Sequence, residues 1–225
     1  MKKRTILPLV LACLCVLPLT ACQVEFSEPT SVLAAEQSTL EEESSADLAP
    51  EAEETESVLP NGVDSTAERT ETITVNDEEV EVALFTFQCS LGFTMEYPYE
   101  TFRCTWDEES QSAVFTSDLT DEDGVAQGVL TVSRGEETVE ATVEAVRADA
   151  GDAEVSTEEA TVGQAEYAAT KLQYTDSQRG YHVVVFVFEN GEGEPFRMEL
   201  CYTDSGSTFL LPRLRLMRQL FQFVE

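Results

Sequence analysis

From about residue 70 onward, apolar and polar positions alternate in steps of two, interrupted by turn-forming residues. Residues 70–75 and 80–88 show this alternation, and Asn76-Asp77 between them has the chemistry of a tight turn. Residues 92–97 form a third segment, stopped by Pro98. Residues 112–116 and 128–133 follow, separated by the acidic turn 118–124. The period then changes. Val139, Val143 and Val146 are spaced at i, i+4 and i+7 with Gly151 as a stop, which predicts an amphipathic helix. Strands are predicted again over 164–174, 181–188 and 195–203, joined by turns at 176–180 and 190–193. A closing helix is predicted over 207–221, with Leu210, Leu214, Met217 and Phe221 on one face and Pro212 in its first turn. The segment 183–188 is apolar at every position, which fits a central strand covered on both faces. These elements make an α+β domain: an antiparallel sheet of about seven to eight strands with two helices packed on it.

Before residue 70 the pattern disappears. Between Gln23 and Glu68 there is no Lys, Arg or His, and acids are mixed with Ser, Thr, Ala and Pro. Low hydrophobicity with charge of one sign cannot offset the entropy of ordering, so residues 23–69 are expected to be a disordered acidic linker. As a neutral coil it would span roughly 35–40 Å, and self-repulsion would extend it. The expected organisation is thus 1–22, 23–69 and 70–225. The chain carries 44 acidic and 13 basic residues, a formal charge of −31. All the acids lie after Cys22, with ten of the basic residues, so that part alone has a charge of −34. Such a balance excludes generic nucleic-acid binding, which needs cations to neutralise phosphates, and disfavours lying flat on an anionic bilayer.

The first residues change the picture most. Met1-Lys2-Lys3-Arg4 is a positive start, followed by an apolar run to Leu19 that contains Pro8 and Pro18. The run is shorter than the roughly 20 apolar residues of a membrane span, so it reads as a signal peptide. It ends in Leu19-Thr20-Ala21-Cys22, which closely resembles the lipobox of bacterial lipoproteins. That resemblance implies a diacylglyceryl group on Cys22, cleavage just before it, and attachment to the outer face of the cell membrane. Two acyl chains anchor stably where one is marginal.

A second resemblance lies in the domain. Ser90-Leu91-Gly92-Phe93-Thr94-Met95-Glu96-Tyr97-Pro98 followed by Phe102 resembles the opening hairpin of PsbP-like domains. The helix after two further strands, the approach Gly163-Gln164-Ala165 and the Leu-rich closing helix stand in the corresponding order over residues 80–225. The resemblance implies a sandwich of helices and sheet with a binding or accessory role, and it supplies no catalytic residues.

Candidate chemistry is sparse. His182 is the only histidine, so a triad or a histidine-rich zinc site would have to use it, and its place at a strand start suggests a structural or surface role. Lys171 is the only lysine after Cys22, and its alternation with Ala169 and Gln173 places it on a solvent face. Asp118, Asp121, Glu122 and Asp123 fail the EF-hand spacing at both ends and read as an acidic hairpin turn. Cys89, Cys104 and Cys201 allow three pairings. Cys89 with Cys104 is the favoured candidate disulfide, and three buried thiols are the other reading. Tyr97, Tyr99, Phe102 and Trp106 are a dense aromatic group, either a partner surface or core. Arg213, Arg215 and Arg218 read as a solvated strip near the C-terminal end of the closing helix.

The function expected from these features is a lipid-anchored extracytoplasmic lipoprotein, a non-enzymatic accessory or binding module. Its partners are the membrane, through Cys22, and an extracytoplasmic protein or wall component; no cofactor or metal is implied. The alternatives are a surface hydrolase using paired carboxylates and a small solute-binding lipoprotein, although a domain of about 155 residues lacks the usual two lobes.

Overall fold

The structure, a computed structural model, describes residues 61–224. The expected signal peptide, Cys22 and residues 23–60 of the expected linker lie outside the described residues. Among the described residues, eleven strands form two antiparallel sheets, with two helices. The antiparallel α+β architecture is as expected, and the strand number exceeds the expected seven to eight.

The first sheet has the order β1-β2-β3-β11. Strands β1 (Gly62–Val75) and β2 (Glu78–Cys89) make a hairpin whose two loop residues, Asn76 and Asp77, both have positive φ, at 54° and 65°. That is the primed turn whose twist matches paired strands, and Asn and Asp tolerate it better than other non-glycine residues. β1 begins at Gly62, inside the stretch read as linker; its register on β2 shifts between Asp64 and Arg69. That irregular, polar start hid the strand. β3 (Phe93–Pro98) pairs with β2, and the short β11 (Phe221–Phe223) pairs with β3.

The second sheet has the order β4-β5-β6-β10-β9-β8-β7. Its strands are β4 (Phe102–Asp107), β5 (Ser112–Ser117), β6 (Gly128–Arg134), β7 (Ser156–Val162), β8 (Tyr167–Asp176), β9 (Tyr181–Glu189) and β10 (Pro195–Tyr202). The middle strand is β10, with β9 beside it. β9 is covered on both faces, as its unbroken apolar run requires: Val183, Val185 and Val187 enter one core cluster, and Val184, Phe186 and Phe188 enter another.

Helix α1 (Val139–Asp149) closes the first of these faces. Its N-cap Thr138 accepts from the Ala141 amide at 3.1 Å, and Val146 is fully buried against β8, β9 and β10. Helix α2 (Asp204–Gln219) and the four-stranded sheet share the opposite face. Leu210, Leu214 and Met217 enter the core between the sheets, while Leu216 and Leu220 meet Ile73, Val82 and Leu84.

α2 differs from expectation in both its limits. It starts at Asp204, where Thr203 accepts from the Gly206 amide at 3.2 Å, so Pro212 lies in the helix interior rather than its first turn. Proline there removes the amide that would serve the Thr208 carbonyl. In the same turn the Arg213 guanidinium donates to the Phe209 carbonyl at 2.8 Å. The helix ends at Gln219, and Phe221 belongs to β11.

Candidate functional site

Helix α2 does not cover the whole of its face of the seven-stranded sheet. Where it stops, the rows of directly paired residues on β8, β9 and β10 become the floor of a groove. Gln173 opposes Val184, which opposes Leu200; one row further on, Thr175 opposes His182, which opposes Tyr202. Paired residues share a face, so these rows present one surface. Leu211, Arg215 and Arg218, spaced at i, i+4 and i+7, put one side of α2 along this floor as a wall.

At the helix end of the groove is a cleft of about 100 Å³. Its apolar floor includes Val184, Phe186 and Leu200, and its charged groups are Lys171, Arg215 and Arg218. Among the described residues no acidic side chain lines it. The Arg218 guanidinium lies 5.0 Å from the Phe186 ring centroid, a distance at which the ring face attracts the cation. Its Nε is buried and has no hydrogen-bond partner among the described residues. Burial, and then the charge of Arg215, push the Arg218 pKa below its usual value. Lys171 reaches Glu158 Oε1 at 2.6 Å and is largely covered, so it faces the groove rather than open solvent.

The arginines do not form the solvated strip expected. Arg213 is 5% exposed and stacks on Phe209 at 3.7 Å, Arg218 is half-buried, and only Arg215 is exposed.

A second hollow, of about 570 Å³, continues the same floor through Gln173, Val184 and Tyr202 to His182. There His182 Nε2 meets Asp204 Oδ1 at 2.6 Å, and its ring lies 5.4 Å from that of Tyr202. Among the described residues, Asp204 is the one side chain hydrogen-bonded to His182, so the pair has no attached nucleophile. It ties the start of β9 to the first turn of α2.

The remaining candidates fall elsewhere. Tyr97 and Phe102 are core residues, 4% and 0% exposed, and offer no partner surface. Tyr99 stacks on Phe85 at 3.8 Å, and Trp106 packs half-buried on the same core with its indole N–H unpartnered. The four aromatics therefore do not make one exposed patch. Cys89 and Cys104 belong to one core layer, while Cys201 lies in the other. All three are free thiols. Burial pushes Cys89 up to about 11 and Cys104 up to about 12, with the Cys89 charge adding to the latter. In the acidic turn, Asp121 Oδ1 accepts from the amides of Asp123 and Val125, and Asp118 pairs with Arg103 at 2.8 Å. Among the described residues no group of metal-ligating side chains is assembled.

A hydroxyl-lined hollow of about 200 Å³ near Ser112 and Ser133 contains Arg197, but that cation is already paired with Asp149 and Glu199. The cleft beside α2 stands apart because its cations are not all paired. Its arginines carry a signal in the sequence: residues 205–224 contain three arginines and no acid, in a chain with 44 acids. Its floor has none, because three strands contribute to it. No protein-family profile and no curated protein matches this chain.

Proposed function

We propose that this chain is a lipid-anchored extracytoplasmic lipoprotein whose folded domain is a non-enzymatic accessory or binding module. The observation that carries the anchor is Leu19-Thr20-Ala21-Cys22, placed directly after a basic start and an apolar run too short to span a bilayer. Two acyl chains on Cys22 would hold the protein at the membrane, and the acidic segment would carry the domain away from an anionic surface. The PsbP-like motif at residues 90–98 supports the accessory role. The groove beside α2 supports binding, since it combines an apolar floor with cations.

The partner in this reading is an extracytoplasmic protein or wall component. Replacing Cys22 with Ser tests the anchor. The variant is expected in the soluble fraction, or with its signal uncut. Membrane association that is unchanged and still requires detergent for release would refute it.

A further inference from the structure

Ten basic side chains follow Cys22. Seven of them stand within 3.2 Å of a carboxylate. The three without an acidic partner among the described residues are Arg213, Arg215 and Arg218, all on α2. In a chain with 44 acids, such a cluster does not arise from any shortage of partners. Arg213, whose Nε is likewise buried without a partner among the described residues, covers the ring and carbonyl of Phe209 and does not line the cleft. Arg215 and Arg218 line the cleft with Lys171, on an apolar floor. Two like charges one helical turn apart repel, and a buried guanidinium N–H without an acceptor is costly. An anion placed between them relieves both.

We infer that the cleft between α2 and β8–β10 is a binding site for a carboxylate carried on a short apolar stem. The carboxylate accepts hydrogen bonds from Arg215 and Arg218, whose planar forks match its two oxygens. The stem lies over Phe186 and Val184. A volume of about 100 Å³ admits a group of side-chain size, well below the several hundred Å³ of a site for a drug-sized ligand. The carboxylate is therefore that of a small free acid or of an acidic side chain on a larger partner. The inference rests on the binding-module reading and names the chemistry that such a module would recognise.

The test uses the full chain labelled with ¹⁵N, following the Nε–H resonance of Arg218. Sodium butyrate is the free acid, a blocked Ala-Glu-Ala peptide carries the side-chain form, and butyramide is the uncharged control. Butyrate and the peptide should both move the resonance saturably, the tighter of the two identifying the source. Butyramide and inorganic phosphate should bind at least about tenfold more weakly than the tighter carboxylate. Arg215→Gln, at an exposed position that does not threaten the fold, should weaken carboxylate binding by about tenfold or more, and Arg147→Gln should leave it unchanged. Equal binding of butyramide or phosphate, or no loss in Arg215→Gln, would overturn the assignment. The lipid anchor would survive that result, because fractionation of the Cys22→Ser variant reads a different part of the chain.

Discussion

Truncating two neighbouring residues of β9 probes both core layers at once. Val185 is 0% exposed and sits under α1 with Val183 and Val187; Phe186 is 3% exposed and faces α2. Val185→Ala removes two methyl groups at about 0.8 kcal/mol each. Incomplete collapse of the cavity raises the cost to about 2–3 kcal/mol. Phe186→Ala should cost about 3–5 kcal/mol. It also withdraws the ring beneath the half-buried Arg218, a contact worth about 0.5–2 kcal/mol. Urea unfolding followed by the fluorescence of Trp106, the single tryptophan, measures both. The midpoints should fall with the slope unchanged. Each variant is informative alone, since the total stability of such a domain is about 5–15 kcal/mol. If Val185→Ala costs less than about 0.5 kcal/mol, α1 does not close that face. A silent Phe186→Ala would mean that α2 does not pack where the cleft requires it.

Three further outcomes are expected. Gly163 has φ +75°, and a Cβ there would stand 2.5 Å from the Phe221 carbonyl oxygen; Gly163→Ala should therefore cost about 2–4 kcal/mol by the same urea assay. The thiols of Cys89 and Cys104 have folded pKa values raised by burial above the ordinary 9.0, so the folded state holds its protons longer than the unfolded state. Their contribution to stability is complete below pH 9 and is lost as pH rises towards about 11 and 12; Cys89→Ala should flatten that alkaline decline in midpoints read between pH 8 and 11. Glu-specific proteolysis of the full chain should cut among Glu41 to Glu56 and spare a fragment starting near Gly62; protection of those sites would refute the linker reading of the acidic segment.

Most of the fold was legible because most strands have one face in a core, and burial imposes a period of two. The elements missed are those in which that signal is weak or shared. β7 has the sequence Ser-Thr-Glu-Glu-Ala-Thr-Val and buries only its last residue, so it is an edge strand with almost no apolar pattern. β4 does alternate, with Phe102, Cys104 and Trp106 turned inward, but its aromatics fit a partner surface as well as a core, so the pattern alone does not mark a strand. Phe221 follows Met217 by four positions and so fits a helical face, although α2 ends before it. The turn at Asn76-Asp77, the cap of α1 and the two-sided burial of β9 were all readable, because each depends on local chemistry or on a continuous run. The cleft was not. Its floor comes from β8, β9 and β10, and its wall from α2, and only the tertiary register brings Lys171 level with Phe186 and within reach of Arg218.

The proposed attachment of this domain to a membrane through Cys22 is tested most directly by intact mass and N-terminal peptide mass of the protein extracted from its own membranes. The account predicts a chain that begins at Cys22 and carries a diacylglyceryl group on that residue. A chain that retains Met1, or that begins beyond Cys22 without lipid, would contradict it.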